Sequence, residues 1–454
     1  MNIQRLLFQP LLFPIVFFGL TILAGGLLLS LPVSLVAGYS ISLTNALFTA
    51  ASATCVTGLT VVDTGTAFSP VGQGIILFLI QVGGLGIMSL TSLAMYLFRQ
   101  RVTLTDRIAV GQNLLQDPRF HLGRFLLRIV LWTFCIELAG AGLLFLTTRG
   151  EMHFISALFH SISAFCNAGF SLYGDSLSRW SDNVTVNLVF IALIILGGIG
   201  FFVMVESWQW FVSRITARQT TRVRLSWYST VVLQTSLYLV IGGTLALFIS
   251  ECIAQTHDLS WSMALLTSFF QAVSCRTAGF NTVPIGVLTN VTLLLMMGLM
   301  FIGAAPGSCG GGIKVTTFRV LLSFMSSELR GRDQTVIGRM AASREAVRRA
   351  LSLFAFSIVI VGTAILILSL SETGSIPHTE ARGKFLEIAF EAISAYGTAG
   401  LSTGLTPQLS TLGKYVIILL MFVGRLGPLI FIGALHTIQR RESFTRPDSD
   451  LLIG

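Results

Sequence analysis

The sequence predicts an all-α polytopic membrane protein, built as four tandem helix–pore-loop–helix repeats around a pseudo-fourfold central pore. Three observations carry that expectation. Of the 454 residues 53% are hydrophobic and only 11% charged, where a soluble domain carries about 25%, and the mean hydropathy is +0.81. A short glycine-bearing segment recurs four times. A second glycine-rich segment follows each copy at a nearly constant distance.

The first segment reads ATCVTGL over residues 53–59, AFCNAGF over 164–170, SCRTAGF over 274–280 and AYGTAGL over 395–401. Its glycines, Gly58, Gly169, Gly279 and Gly400, stand 111, 110 and 121 residues apart. The second segment reads VGGLG over 82–86, LGGIG over 196–200 and VGRLG over 423–427, within long apolar helices. In the third unit Gly303 of IGAAP (302–306) takes the corresponding place. From the first glycine to the second site the offsets are 25, 28, 24 and 24 residues. Small residues for helix packing explain either segment alone, but not the shared register, which marks an internal repeat.

Repeat 1 (residues 1–100) opens on an apolar span at 11–36, too long for a cleavable signal peptide. A half-length helix at 44–54, the Gly58 loop and a span at 72–98 follow. Repeat 2 (101–215) places spans at 128–148 and 184–212 about a half-helix at 154–165 and Gly169. Repeat 3 (216–330) does the same with 231–252, 263–275, Gly279 and 287–325; repeat 4 (331–454) with 350–370, 385–396, Gly400 and 415–437. The spans are long enough for a hydrocarbon core of about 30 Å, whereas the half-helices are too short and read as re-entrant. Eight spans return both termini to one side.

Charge gives the side. The formal net charge of +9 is concentrated in residues 99–128, 214–224 and 330–349 and in Arg440, Arg441 and Arg446. The other connections are poorer in Arg and Lys and carry Asp63, Asp175, Asp182, Glu251, Asp258 and Glu372. Basic flanks remain in the cytoplasm, so both termini and the three basic segments are expected there. The basic excess is thus a topology signal and not a nucleic-acid surface. The six cysteines are scattered without a CxxC pair, which points away from metal or redox chemistry.

Irregular backbone at membrane depth survives only where protein buries it or it lines a water-filled route. Four such loops about one axis satisfy that by forming a pore. Glycine tolerates positive φ and leaves the carbonyls of Val56, Thr57, Asn167, Ala168, Thr277, Ala278, Thr398 and Ala399 free to face the axis. Rings of carbonyls replace the hydration shell of a monovalent cation. Half-helices entering from the extracytoplasmic side aim their negative C-terminal ends at the same place.

These loops resemble the filter of the Trk/Ktr/HKT superfamily of cation transporters, and residues 303–314 (GAAPGSCGGGIK) resemble the interrupted helix of its third repeat. The likeness covers nearly the whole chain and sides with the Ktr branch, since the first repeat begins almost at Met1. It implies potassium uptake, because glycine in all four filter loops goes with K⁺ selectivity and serine in the first with Na⁺ permeation. K⁺ would lie at the filter carbonyls, with no cofactor bound by this chain and Na⁺ as a coupling or activating ion. The resemblance further implies a homodimer in the bacterial inner membrane, docked on a cytoplasmic nucleotide-binding regulatory ring. It assigns an intramembrane gate to Gly303, Pro306, Gly307, Ser308, Gly310, Gly311, Gly312 and Lys314.

Several residues admit two readings. Gly307 and Gly312 with Lys314 lack the spacing of a phosphate-binding loop. Pro306 and the glycine run break the helix, as a gate or as a static kink. Arg425 stands where Gly84 and Gly198 stand in other repeats, at an insertion cost of about 2.5–3.5 kcal/mol; it is either a positive barrier inside the filter or a cap on carbonyls of the broken helix. Arg276 and Glu391 form either a brace behind the filter or separate local contacts. Glu137 is a Na⁺ ligand, a proton site or, by preference, a helix-to-helix hydrogen bond, and His160 packs behind its loop. No HExxH, GxSxG or Asp/His cluster stands out, so an enzyme is not expected. A secondary transporter of a small organic solute is the rival, although inverted halves would suit it better. A Na⁺-permeable member of the same superfamily is the other.

Overall fold

The computed structural model describes residues 12–85, 122–215, 224–254, 260–377 and 379–427. Among them one order of elements recurs four times. The first unit holds α1 (Leu12–Leu29), the half-helix α2 (Leu43–Thr54), a single turn α3 (Thr64–Ala67) and α4 (Pro70–Gly84). The second holds α5 (Leu122–Thr147), half-helix α6 (Phe154–Phe165), α7 (Val184–Ile199) and α8 (Phe201–Ile215). The third holds α9 (Trp227–Ala254), half-helix α10 (Trp261–Ser274), α11 (Asn290–Phe301) and α12 (Val315–Glu328). A small antiparallel hairpin, β1 (Val336–Ile337) on β2 (Met340–Ala341), leads to α13 (Arg344–Thr373), half-helix α14 (Lys384–Gly397) and α15 (Thr411–Leu426).

Length separates the first helix of each unit from the half-helix that follows it. The 30 residues of α13 rise about 45 Å, and α5, α9 and α13 are each apolar and long enough to cross a bilayer. The half-helices have 12 or 14 residues, a rise of about 18–21 Å, and stop inside. Starts are fixed by side-chain caps: Ser42 accepts from the Asn45 amide, Asn183 from Val186, Thr289 from Thr292 and Ser410 from Gly413. At α4 Ser69 caps Gly72, with Pro70 pre-set in the first turn.

The second helix of each unit packs on the half-helix of the next: α4 on α6, α7 on α10, α11 on α14, and α15 back on α2. The arrangement closes on itself. Large aromatic side chains fully buried in it include Phe48, Phe165, Phe270, Phe390 and Tyr396 of the half-helices. Leu20, Leu23 and Leu27 of α1 and Ile358, Val359 and Leu366 of α13 stay exposed, as suits surfaces facing lipid.

Three expected spans are shorter or broken. Residues 287–325 are interrupted between Phe301 and Val315, as Pro306 and the glycines predict. Residues 184–212 are not one span: the chain breaks at Gly200 (φ 94°), and α7 and α8 diverge by 109°. The cause is a change of partners. The carbonyls of Gly197 and Gly198, which would bond Phe201 and Phe202 in a continuous helix, accept from the amides of Cys309 and Ala305 instead, both at 3.1 Å. Phe201 N donates to Gly307 O at 3.2 Å. α1 ends at Leu29, not at 36, because Pro32 holds Leu31 extended. The expected continuations beyond 85 and 427, with Gly86, the basic segment 99–121 and Arg440, Arg441 and Arg446, lie outside the described residues.

Candidate functional site

The four glycine loops meet in a closed ring. A Cβ added to Gly58 would lie 2.6 Å from Ala168 O and 3.0 Å from the Cα of Gly169. One added to Gly169 would lie 2.8 Å from Ala278 O and from the Cα of Gly279. From Gly279 it would reach Ala399 O at 3.0 Å, and from Gly400 it would collide with Thr57 O. Each glycine is therefore pressed on the carbonyl of the residue before the next glycine, in the cyclic order 58, 169, 279, 400. Only a residue without a side chain fits such an approach, and all four have φ between 69° and 96°.

The residue two places before each glycine is also left-handed: Val56 (φ 55°), Asn167 (59°), Thr277 (73°) and Thr398 (49°). For β-branched residues this is a strained conformation. Their side chains are carried below the ring, where Val56 meets the Gly83 position, Asn167 those of Gly197 and Gly198, Thr277 that of Gly310 and Thr398 that of Gly311. Thr57, Ala168, Ala278 and Ala399 are fully buried between the two left-handed positions. Their amides close each turn on Ser52 O, Ser163 O, Ser274 O and Ser394 O at 2.7–2.9 Å. Nothing in the residue types at 56, 277 or 398 signals a left-handed backbone.

The second glycine motif has a physical role of its own. A Cβ on Gly83 would strike Thr54 O, on Gly197 Phe165 O, and on Gly424 Tyr396 O. Those are the last-turn carbonyls of α2, α6 and α14, so each half-helix ends directly on the first glycine of its own unit's second motif. That contact ties the two motifs together in the first, second and fourth units. In the third unit Gly303 has a different neighbour, Gly311 O, and donates to Ile313 O at 2.9 Å.

Residues 302–314 lie beneath the ring and touch all four units. Gly311 N donates to Thr398 Oγ1 at 3.0 Å and Gly312 N to Gly424 O at 3.3 Å. Cys309 Sγ reaches Gly84 O at 2.9 Å, and Tyr228 Oη donates to Pro306 O at 3.3 Å. Ser308 Oγ donates to Ala305 O at 2.6 Å, and Lys314 Nζ turns back on Gly310 O at 2.6 Å. Gly307 (φ 71°) and Gly312 (φ 66°) supply the turns. Arg425, only 6% exposed, donates through its two terminal nitrogens to Cys309 O and Gly83 O. Its guanidinium thus joins the loop to the end of α4, the arrangement of the capping alternative.

Arg276 and Glu391 do not meet. Arg276 donates to Ser236 O (3.3 Å) and Ser236 Oγ (3.1 Å) of α9, the long helix of its own unit. Glu391 accepts from Ser402 Oγ, Thr403 N and Thr406 Oγ1 in the loop after its own glycine. A brace between repeats is replaced by two braces within repeats, because each group finds a partner on its own hairpin. His160 does in repeat 2 what Glu391 does in repeat 4: both stand nine residues before the glycine. Its Nε2 is 3.0 Å from Ser171 Oγ and receives Leu172 N at 3.3 Å. Glu137, 1% exposed, accepts from Gln81 Nε2 at 2.7 Å, the helix-to-helix bond preferred from the sequence.

On the face of the ring away from the 302–314 loop lies a cavity of about 250 Å³, with Gly58, Gly169, Gly279 and Gly400 all in its lining. Thr60, Asp63, Tyr173, Ser176, Asn281 and Ser402 contribute to its walls.

Comparisons with known proteins give the family and the fold. A family model described as TrkH, cation transport protein, matches residues 21–436. The chain is 38% identical over 448 residues to Ktr system potassium uptake protein B of Bacillus subtilis, covering 96% of this chain and 95% of that one. It is 37% identical to the protein of the same name in Vibrio alginolyticus, over 93% and 90%. It is 35% identical to potassium/sodium uptake protein NtpJ of Enterococcus hirae, over 96% and 95%. The crystal structure of the potassium transporter TrkH from Vibrio parahaemolyticus shares the fold, with a TM-score of 0.69 at 19% identity over 94% of this chain and 84% of that one. Family model, sequence identity and fold converge, and the chain belongs to the TrkH family of cation transport proteins.

Proposed function

We propose that this chain is the membrane subunit of a potassium uptake system, passing K⁺ through the glycine ring. The observation that carries the reading is the cyclic closure of the four loops, each glycine against the next loop's carbonyl. Carbonyls of Val56, Thr57, Asn167, Ala168, Thr277, Ala278, Thr398 and Ala399 replace the ion's water shell. The cavity opens on one side of the ring and the 302–314 loop lies on the other, so K⁺ enters through the cavity and the loop obstructs its exit until it moves.

Relatives named Ktr system potassium uptake protein B and potassium/sodium uptake protein NtpJ support K⁺ as cargo and Na⁺ as coupling or activating ion. The word system in those names supports a further component, here a cytoplasmic nucleotide-binding ring, with this subunit as a homodimer. Exposed Arg214, Arg224, Arg330, Arg332, Arg344 and Arg348 gather at helix ends away from the half-helices. The positive-inside rule makes that end cytoplasmic, in a bacterial inner membrane with both termini inside. An organic solute would need side-chain chemistry that a ring of bare backbone lacks.

The test is growth of a bacterium deficient in K⁺ uptake, expressing this chain with and without a candidate nucleotide-binding partner. The reading expects growth at low K⁺, stronger with the partner. Inserted protein that gives no growth at low K⁺ with either combination, while the same cells grow at high K⁺, would contradict it.

A further inference from the structure

We propose that Asp63 makes the cavity above the glycine ring a binding site for a hydrated monovalent cation, which waits there before entering the ring. The inference rests on the K⁺ pathway reading and adds to it a site and a residue. Among the residues lining the cavity Asp63 is the single charged one. It stands five residues after Gly58, and the equivalent places in the other units are held by Gly174, Pro284 and Leu405. Among the lining residues one unit alone carries a charge; Asp175 and Arg179 of the second unit flank that wall, with Arg179 over the Tyr173 ring.

The carboxylate divides its work. Oδ1 accepts the Gly65 amide at 2.8 Å and the Thr66 amide at 2.9 Å, capping α3. Oδ2 points across the seam to the second unit, where a Cβ on Gly174 would lie 2.6 Å from it. Gly174, itself a lining residue, is what leaves room for that oxygen. Among the described residues Oδ2 accepts no hydrogen bond, and both Asp63 and Gly174 line the cavity. Asp63 is half-buried, and Thr60, Ser176, Asn281 and Ser402 surround the space with neutral polar groups. Such a setting concentrates a cation with its water shell in place; dehydration is left to the ring. A concave site lined by one sign of charge raises the local counter-ion concentration and is weakened by salt.

The test is initial ⁸⁶Rb⁺ uptake by cells or vesicles carrying the whole chain, over a range of K⁺ and at two ionic strengths. Asp63→Asn keeps an oxygen for the α3 amides and removes only the charge. It is expected to raise KM about threefold at an ionic strength near 0.01 M, with maximal rate and K⁺-over-Na⁺ preference unchanged. The difference should vanish in about 0.3 M choline chloride, where the screening length is much shorter. Asp63→Glu should retain the low KM, and Asp182→Asn, which removes a charge on the same side but outside the cavity, should leave KM alone. An unchanged KM in Asp63→Asn at low salt would overturn the proposal. So would a reduced maximal rate shared by Asp63→Asn and Asp63→Glu, the mark of a structural cap. A native chain without any uptake would instead sink the pathway reading, and this site with it.

Discussion

A methyl group at Gly58 would lie 2.6 Å from Ala168 O, and the clash is with backbone, which cannot swing away. Gly58→Ser must therefore shift the ring. Left-handed backbone at a non-glycine residue adds a cost of about 1–2 kcal/mol. The expected outcome is surviving uptake with K⁺-over-Na⁺ discrimination reduced at least tenfold, read as the ratio of ⁸⁶Rb⁺ to ²²Na⁺ uptake. Unchanged ratios in serine variants of all four glycines would refute the ring as the selective element. Arg425 offers a second test. Its fork holds two carbonyls at once, and a hydrogen bond from a charged group contributes about 1.5–3 kcal/mol. Arg425→Ala should free the loop and raise uptake about tenfold per inserted protein. Arg425→Lys should resemble it, because an ammonium lacks the planar fork; a lysine variant as restrained as the native chain would favour the charge barrier. The four glycines were legible because their spacing repeats. The left-handed Val56, Thr277 and Thr398 were not: packing imposes that backbone against their intrinsic preference. Register placed Arg425 in line with Gly84 and Gly198 but could not say which carbonyls a long flexible side chain would reach.

The half-helices depend on a contact at their C-terminal ends. Gly197 and Gly424 take the carbonyls of Phe165 and Tyr396 without room for a Cβ, whereas Gly298 of α11 has open space around it. Gly424→Ala should lower the melting temperature of the purified protein, at the about 1–3 kcal/mol typical of overpacking, and Gly298→Ala should not. Equal melting temperatures would show that the contact at the half-helix end does not stabilise the fold. Deleting residues 305–311 should raise the maximal uptake rate and uncouple it from the proposed cytoplasmic partner. It also removes the donors to Gly197 O and Gly198 O, so the angle between α7 and α8 should change. A deletion that inserts normally and transports at the native rate would count against a gate. Half-helix boundaries were readable to within about two residues, since apolar length and, for α2, the Ser42 cap are local signals. The break at Gly200 was not: LGGIG reads as a packing stripe until its carbonyls are seen to accept from a loop a hundred residues away.

The closed order of packing, α4 on α6, α7 on α10, α11 on α14 and α15 on α2, makes one chain do the work of four subunits. Because the units differ in sequence, single groups such as Asp63, Arg276 and Arg425 can break the symmetry where a true tetramer would repeat them. The fold class and the repeat were legible because membrane burial leaves few solutions and the motif occurs four times. Assembly was not, since a partner's contacts leave no periodic trace in this chain. A homodimer with two separate pathways predicts a dimer on cross-linking in native membranes; monomers alone would contradict it. The most direct measurement is ⁸⁶Rb⁺ flux into vesicles containing the purified native chain, with K⁺, Na⁺ or an amino acid panel as competitors. A K⁺ pathway through the glycine ring predicts saturable flux displaced by K⁺, at least tenfold less by Na⁺ and not at all by amino acids. Flux that Na⁺ displaces as well as K⁺, or that only an organic solute displaces, would contradict it.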